Sequence, residues 1–192
     1  MSTQALVKKQ FMSIFDVDVK KKIPNFLSKI YFGMGCFWGA ERRFWHLDGL
    51  YTTVVGYAGG HTNNPNYESV CSGKTGHAEV VKVIYDERKI YMNDLLKIFW
   101  ESHNPTEYNR QGNDIGTQYR SIILVDKEDL IGNIEKSKEK FQKILISKSL
   151  GTIHTEIKML KNFFVAEDYH QKYLHKNPNG YCGLKGLEVD YL

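Results

Sequence analysis

Long apolar runs are missing from this sequence: no stretch approaches the roughly 18 to 20 uninterrupted apolar residues that a membrane-spanning helix requires. The N-terminus lacks the compact apolar region of a secretory signal. Residues 1–28 hold acids but no arginine, unlike a mitochondrial transit peptide. A membrane role is therefore not expected, and a cytoplasmic location follows by default. Cysteine is scarce. Cys36, Cys71 and Cys182 are too few and too widely spaced for the scaffold of a small secreted domain, and no C-x-x-C pair suggests a structural zinc site. Neither a metal nor an organic cofactor is expected, and in a reducing compartment such cysteines are buried, catalytic or idle. A block of one charge is also lacking. The 26 basic and 22 acidic residues leave +4, and the lysines are scattered rather than gathered into a stripe with interleaved aromatics, so nucleic-acid binding is not indicated. The densest basic run, Lys20 to Lys22, sits beside Asp16 and Asp18 and reads as a solvated segment. No internal repeat or low-complexity segment is present.

What remains is the composition of an ordinary folded domain: 192 residues, 42% hydrophobic and 25% charged. A chain of this length buries roughly two-thirds of its unfolded surface and needs no staple to fold, which frees the cysteines for chemistry. Residues 1–28 show no clear period and are expected to form an N-terminal arm, with a catalytic domain over 29–192. Residues 29–35 read as a strand ending in a glycine turn, and Phe37, Ala40, Phe44 and Leu47 then recur on one helix face until Asp48 and Gly49. Further strands are expected over 52–57, 78–86, 120–125 and 155–160, with polar loops over 61–67 and 104–118. Met92, Leu95, Leu96, Phe99 and Trp100 predict a helix that ends before Pro105. Asp126 is a candidate N-cap for a helix over 127–147, a last helix is expected over 166–176, and the glycines beyond predict an irregular, mobile tail. This alternation points to an α+β single-domain, two-layer sandwich, a mixed β-sheet with helices packed against it.

A cysteine that follows a glycine-rich strand end and opens a helix meets unpaired backbone N–H groups and the positive end of the helix dipole, which stabilise a thiolate. Cys36 has that setting. Beside it, Phe37 and Trp38 suit the gripping of an apolar methyl group, and Trp38 falls off the core face of its helix. Along residues 78–86 a period of two places Glu79 on one face with Val81, Val83 and Tyr85. Burial among them would raise its carboxyl pKa and make it a general acid at neutral pH. Tyr67, Asp114 and Tyr119 lie in or at the ends of the polar loops, where binding groups concentrate. With twelve tyrosines in the chain, spacing alone does not single them out.

The runs GCFWGAERRFW at 35–45, GYAGG at 56–60, NPNYESVCSGKTGHAEVV at 64–81, RQGNDIGTQYRS at 110–121 and AEDYHQKYLHKNP at 166–178 resemble peptide methionine sulfoxide reductase of the A type. The likeness spans roughly residues 30–186, and the motifs in that order are highly specific. The resemblance implies a ferredoxin-like core and a thiol-dependent reduction of methionine S-sulfoxide, protein-bound and free, in the repair of oxidised proteins. It implies Cys36 as nucleophile, Phe37 and Trp38 as methyl pocket, and Glu79 as proton donor. Tyr67 and Tyr119 match the phenols that hydrogen-bond the sulfoxide oxygen, and Asp114 the acid that shapes the pocket. Cys182 matches the resolving cysteine, which would close a disulfide on Cys36 for thioredoxin to reopen; Cys71 matches a position without required chemistry. Many members carry one more cysteine near the C-terminus, whereas this sequence has none after Cys182, which implies a single resolving step. A monomer is the expected state. Two other classes compete: a cysteine hydrolase or acyltransferase, needing one of the seven histidines as a base, and a non-catalytic peptide-binding module anchored by Phe37 and Trp38.

Overall fold

The computed structural model describes Ile14, Phe15, Val17 and residues 23–191. Its strands are β1 (Ser28–Met34), β2 (Leu50–Ala58), β3 (Ala78–Tyr85), β4 (Arg110–Gln111), β5 (Asp114–Ile115), β6 (Ser121–Val125), β7 (Glu156–Met159) and β8 (Phe163–Val165). Its helices are α1 (Phe37–Phe44), α2 (Tyr67–Cys71), α3 (Met92–Ser102), α4 (Ile131–Ser147) and α5 (Tyr173–Lys176).

Six strands form one sheet in the order β7-β6-β1-β3-β2-β8, with β6 and β7 parallel and the other pairs antiparallel. Its middle, β6-β1-β3-β2 with α1 and α3 as crossovers, has the split βαβ connectivity of a ferredoxin-like core. The period of two explains why one sheet serves two layers. Ile30, Phe32, Met34, Val81, Val83, Tyr85, Ile123 and Val125 join one apolar cluster with Phe37, Phe44, Leu95, Phe99 and Phe141 from the helices. The alternate residues Tyr31, Val80, Ile122 and Leu124 form a smaller cluster on the opposite face, packed against Leu160 and Phe163.

Three boundaries differ from those expected. The 166–176 segment is not one helix: it follows β8, which pairs with Gly56–Ala58, and only its Tyr173–Lys176 end is helical. The Gln171 side-chain amide accepts from Val55 N (3.0 Å) and donates to Val55 O (2.9 Å), standing in for a strand where β8 ends. Asp126 does not cap a helix; its carboxylate pairs with Lys29 at 3.1 Å, and α4 starts at Ile131 after a tighter turn over Glu128–Leu130. The polar stretch 104–118 folds as the β4–β5 hairpin and the start of a short turn over Thr117–Tyr119.

Most of the 1–28 arm, including Lys20 to Lys22, lies outside the described residues. Within it, the Thr52 hydroxyl donates to Ile14 O at 2.7 Å, and Phe15 stacks on His175 with centroids 3.8 Å apart. Residues beyond Asn177 are irregular, and they lie on the body through the buried Leu184, Val189 and Tyr191. No helix among the described residues is long and apolar enough to cross a membrane.

A buried ion pair joins α1 to the C-terminal third. The Lys172 ammonium donates to Glu41 Oε1 (2.9 Å) and Thr53 Oγ1 (2.7 Å), and Lys172 N–H donates to Glu41 Oε2 (3.0 Å). Glu41 has no exposed surface and Lys172 is 7% exposed, so losing either partner strands the other charge without water. Lys172→Met is expected to lower unfolding free energy by about 3 to 5 kcal/mol in urea titrations. Adding Glu41→Leu should recover much of that loss, because the stranded carboxylate is then gone.

Candidate active site

Gly35 follows β1 with φ +94, a conformation that L side chains rarely adopt, and a Cβ there would lie 2.6 Å from the Gln111 side chain. The turn it permits sets Cys36 as the N-cap of α1. Phe37 is the next residue, and its backbone N–H donates to Glu79 Oε2 at 3.0 Å. That bond ties the helix start to β3 and brings positions 36 and 79 to one site.

Glu79 is 2% exposed, and the alternation along β3 holds it on the face of Val81 and Val83. Burial is the largest influence on its carboxyl, pushing the pKa up to about 8; the Phe37 N–H pulls it down and the Asp114 charge pushes it up. At neutral pH the acid carries its proton. Cys36 differs from expectation. The Trp38 and Gly39 N–H groups do lower its pKa, yet burial outweighs them, joined by the Glu79 charge once that acid ionises, and the thiol is pushed well above its ordinary value. The helix start favours a thiolate, and the enclosure of the site overrides it in the resting protein.

Tyr67 and Tyr119 stand near Glu79. Burial raises both phenol pKa values above the ordinary range, and each phenol feels the Glu79 charge. Both therefore stay protonated and able to donate a hydrogen bond. Tyr67 opens α2, which ends at Cys71; Tyr119 closes the short turn before β6. Asp114 begins β5, accepts from the Tyr181 hydroxyl at 3.1 Å, and has its pKa raised by burial.

Phe37 is 1% exposed and belongs to the core while facing Tyr57 (centroids 5.9 Å). Trp38 is half-buried and stacks on Tyr173 at 3.8 Å with 16° between planes. Cys182 is half-buried, and a Cβ built on Gly39 would lie 3.0 Å from its Sγ. Position 39 therefore stays bare so that the tail thiol can settle on the first turn of α1, one helical turn from Cys36. Arg43 donates to Leu184 O at 3.1 Å and the Tyr181–Asp114 bond holds the other side of Cys182. All three cysteines are free thiols. No group of three or more His, Cys, Asp or Glu among the described residues could hold a metal.

Sequence reasoning missed Tyr57, Glu167 and His170. Glu167 accepts from Tyr57 OH (2.8 Å) and Tyr67 N–H (2.9 Å), and His170 Nδ1 accepts from the Trp38 indole at 3.0 Å. For Glu167 and His170 the signal was the polar cluster inside AEDYHQKYL, which the expectation of a plain helix over 166–176 obscured.

A thiol, a neutral buried acid, two phenols and an aromatic wall at one helix start define a thiol-dependent oxidoreductase. The family model described as peptide methionine sulfoxide reductase matches residues 28–189. The peptide methionine sulfoxide reductase MsrA of Rippkaea orientalis is 56% identical over 171 residues, 89% of this chain and 79% of that protein. Among solved structures, methionine sulfoxide reductase A of Corynebacterium diphtheriae aligns with a TM-score of 0.79 at 37% identity, covering 92% of this chain and 93% of that one. Mxr1 of Saccharomyces cerevisiae in complex with Trx2 aligns with a TM-score of 0.56 at 25% identity, covering 81% and 91%. The chain belongs to the peptide methionine sulfoxide reductase family, and it is an oxidoreductase that reduces methionine sulfoxide at the expense of thiols.

Proposed function

We propose that the chain reduces the S epimer of methionine sulfoxide, in oxidised proteins and as the free amino acid, with Cys36 as nucleophile and Cys182 as resolving thiol. The observation that carries the reading is the Phe37 N–H bond to Glu79, which sets an uncharged acid beside the sulfur nucleophile. A sulfoxide sulfur is a poor electrophile until its oxygen is protonated or strongly hydrogen-bonded. Glu79 supplies the proton, and the Tyr67 and Tyr119 hydroxyls steady the oxygen. Phe37 and Trp38 grip the methyl group, and Asp114 helps to shape the mouth. With methyl and oxygen both located, only one arrangement around the chiral sulfur presents its back to Cys36.

As Glu79 gives up its proton, its carboxylate becomes a base for the Cys36 thiol. The N–H groups of Trp38 and Gly39 then hold the sulfur's negative charge. Oxygen passes to Cys36, methionine leaves, and the two electrons the substrate gains come from Cys36, now a sulfenic acid. Cys182 attacks that sulfur, water departs and a disulfide forms. For this the two Cα atoms come within about 4.4 to 6.8 Å. An external dithiol, thioredoxin, reopens the bond by exchange; the Mxr1 complex with Trx2 supports that partner. The reading also takes residues 1–28 as an arm on a monomeric catalytic domain over 29–192, acting in a reducing, cytoplasmic setting.

The test is reduction of N-acetylmethionine sulfoxide of defined chirality with thioredoxin and its reductase. The S epimer should be consumed, the R epimer left, and mass spectrometry without reductant should find Cys36 joined to Cys182. Turnover of both epimers would overturn the pocket, and absence of the bond would remove Cys182 from the cycle. A hydrolase is not favoured, because Cys36 faces an acid and phenols, while His170 in the aromatic wall has its Nδ1 engaged by Trp38.

A further inference from the structure

We propose that His170 is a positioning residue for the methyl slot: its imidazole accepts the Trp38 indole N–H and thereby sets the wall against which the sulfoxide methyl packs. This rests on the reading that Trp38 lines that slot.

An indole nitrogen donates and never accepts, so the 3.0 Å contact from Trp38 Nε1 requires a lone pair on His170 Nδ1. The ring is then the neutral tautomer with its proton on Nε2. That proton finds no hydrogen-bond partner among the described residues, although His170 is only 1% exposed. The Glu167 carboxylate lies 3.8 Å from Nε2, beyond a hydrogen bond, and its two oxygens are engaged by Tyr57 and Tyr67. A phenylalanine would fill the same space, between Phe37 (centroids 4.9 Å), Tyr67 (4.8 Å) and Tyr169 (4.0 Å), and would bring no partnerless Nε2 with it. Packing alone therefore does not call for histidine here. The acceptor for Trp38 does.

The consequence is geometric. Stacking on Tyr173 leaves the Trp38 ring free to slide within its plane, because dispersion between parallel rings has little directional preference. One directional bond at the indole edge removes that freedom. Glu167 separately holds the Tyr67 backbone N–H at 2.9 Å, on the far side of the His170 ring.

The test compares His170→Phe, which keeps the ring and deletes the acceptor, with His170→Asn, whose amide oxygen stands as far from Cβ as Nδ1 does. The substrate is N-acetylmethionine S-sulfoxide, and the second readout is the 15N indole resonance of Trp38, assigned by its loss in Trp38→Phe. In His170→Phe the indole resonance should shift and exchange faster with solvent. KM should rise about tenfold, with kcat within about threefold, the signature of a lost binding contact. His170→Asn should restore the resonance and bring KM to within about threefold of the parent. In a Trp38→Phe background, His170→Phe should add less than about a twofold change, since the partner is already gone. An unmoved indole resonance would overturn the proposal, as would an equal loss in both backgrounds. The resonance does not depend on turnover, so it decides the Trp38–His170 contact even if the sulfoxide is not reduced. Should His170→Phe fail to fold, His170→Gln replaces it with the same readouts, its amide lying one bond too far out.

Discussion

Cys36→Ser is expected to release no methionine even in a single turnover, with the rate down by at least about 10⁴-fold. A hydroxyl ionises far less readily than a thiol, and oxygen cannot take up a second oxygen as sulfur does on its way to a sulfenic acid. Cys182→Ser should behave differently. Its Cys36 can still complete one transfer, so rapid-quench experiments should show one equivalent of methionine per protein and then a halt. Full thioredoxin-linked cycling by Cys182→Ser would assign the resolving step to Cys71, which ends the helix that Tyr67 opens.

Glu79→Gln is expected to lower kcat by about 10² to 10⁴, the range for a general acid, because the amide keeps a bond to the Phe37 N–H and loses the proton to give. In the parent, kcat/KM should fall above pH 8 as Glu79 ionises, and that alkaline limb should vanish in the variant. The thiol does not offset the fall. An ionised Glu79 raises the Cys36 pKa further, so alkali removes the acid without freeing the nucleophile. An alkaline limb that persists in Glu79→Gln would assign it to another group.

The same carboxyl makes a statement about stability. Its folded pKa lies near 8 and its unfolded value near 4.5. The stabilisation from holding the proton is full below the unfolded value and is lost as pH rises to the folded one. Glu79→Gln should therefore exceed the parent in unfolding free energy at pH 7 by something on the order of 3 kcal/mol, measured by urea titration at several pH values. At pH 4 the two should be nearly equal.

Where a local pattern and the fold agreed, the sequence was readable. The alternation along 78–86 located Glu79 among valines, and the helix spacing at 92–100 marked Leu95, Leu96, Phe99 and Trp100, all of which are buried. Where distant partners competed, it was not. Residues 166–176 have a helical composition, yet Glu167 is drawn to Tyr57 and Tyr67, Gln171 to Val55 and Lys172 to Glu41. Lys172 is left with φ 54, outside the helical region. Asp126 likewise looked like a cap because a cap is local, and it took Lys29 instead.

The sequence by itself determined the family, through motifs in a fixed order along the chain, and the strand on which Glu79 sits, through an alternation that depends on neighbours only a few positions away. Tertiary structure alone decided that the resting thiol keeps its proton, that Gly39 stays bare beneath Cys182, and that His170 and Glu167 stand behind the aromatic wall. The reason is that desolvation and directional bonds depend on which distant segments close over a group, and that closure is set by the packing of the whole chain.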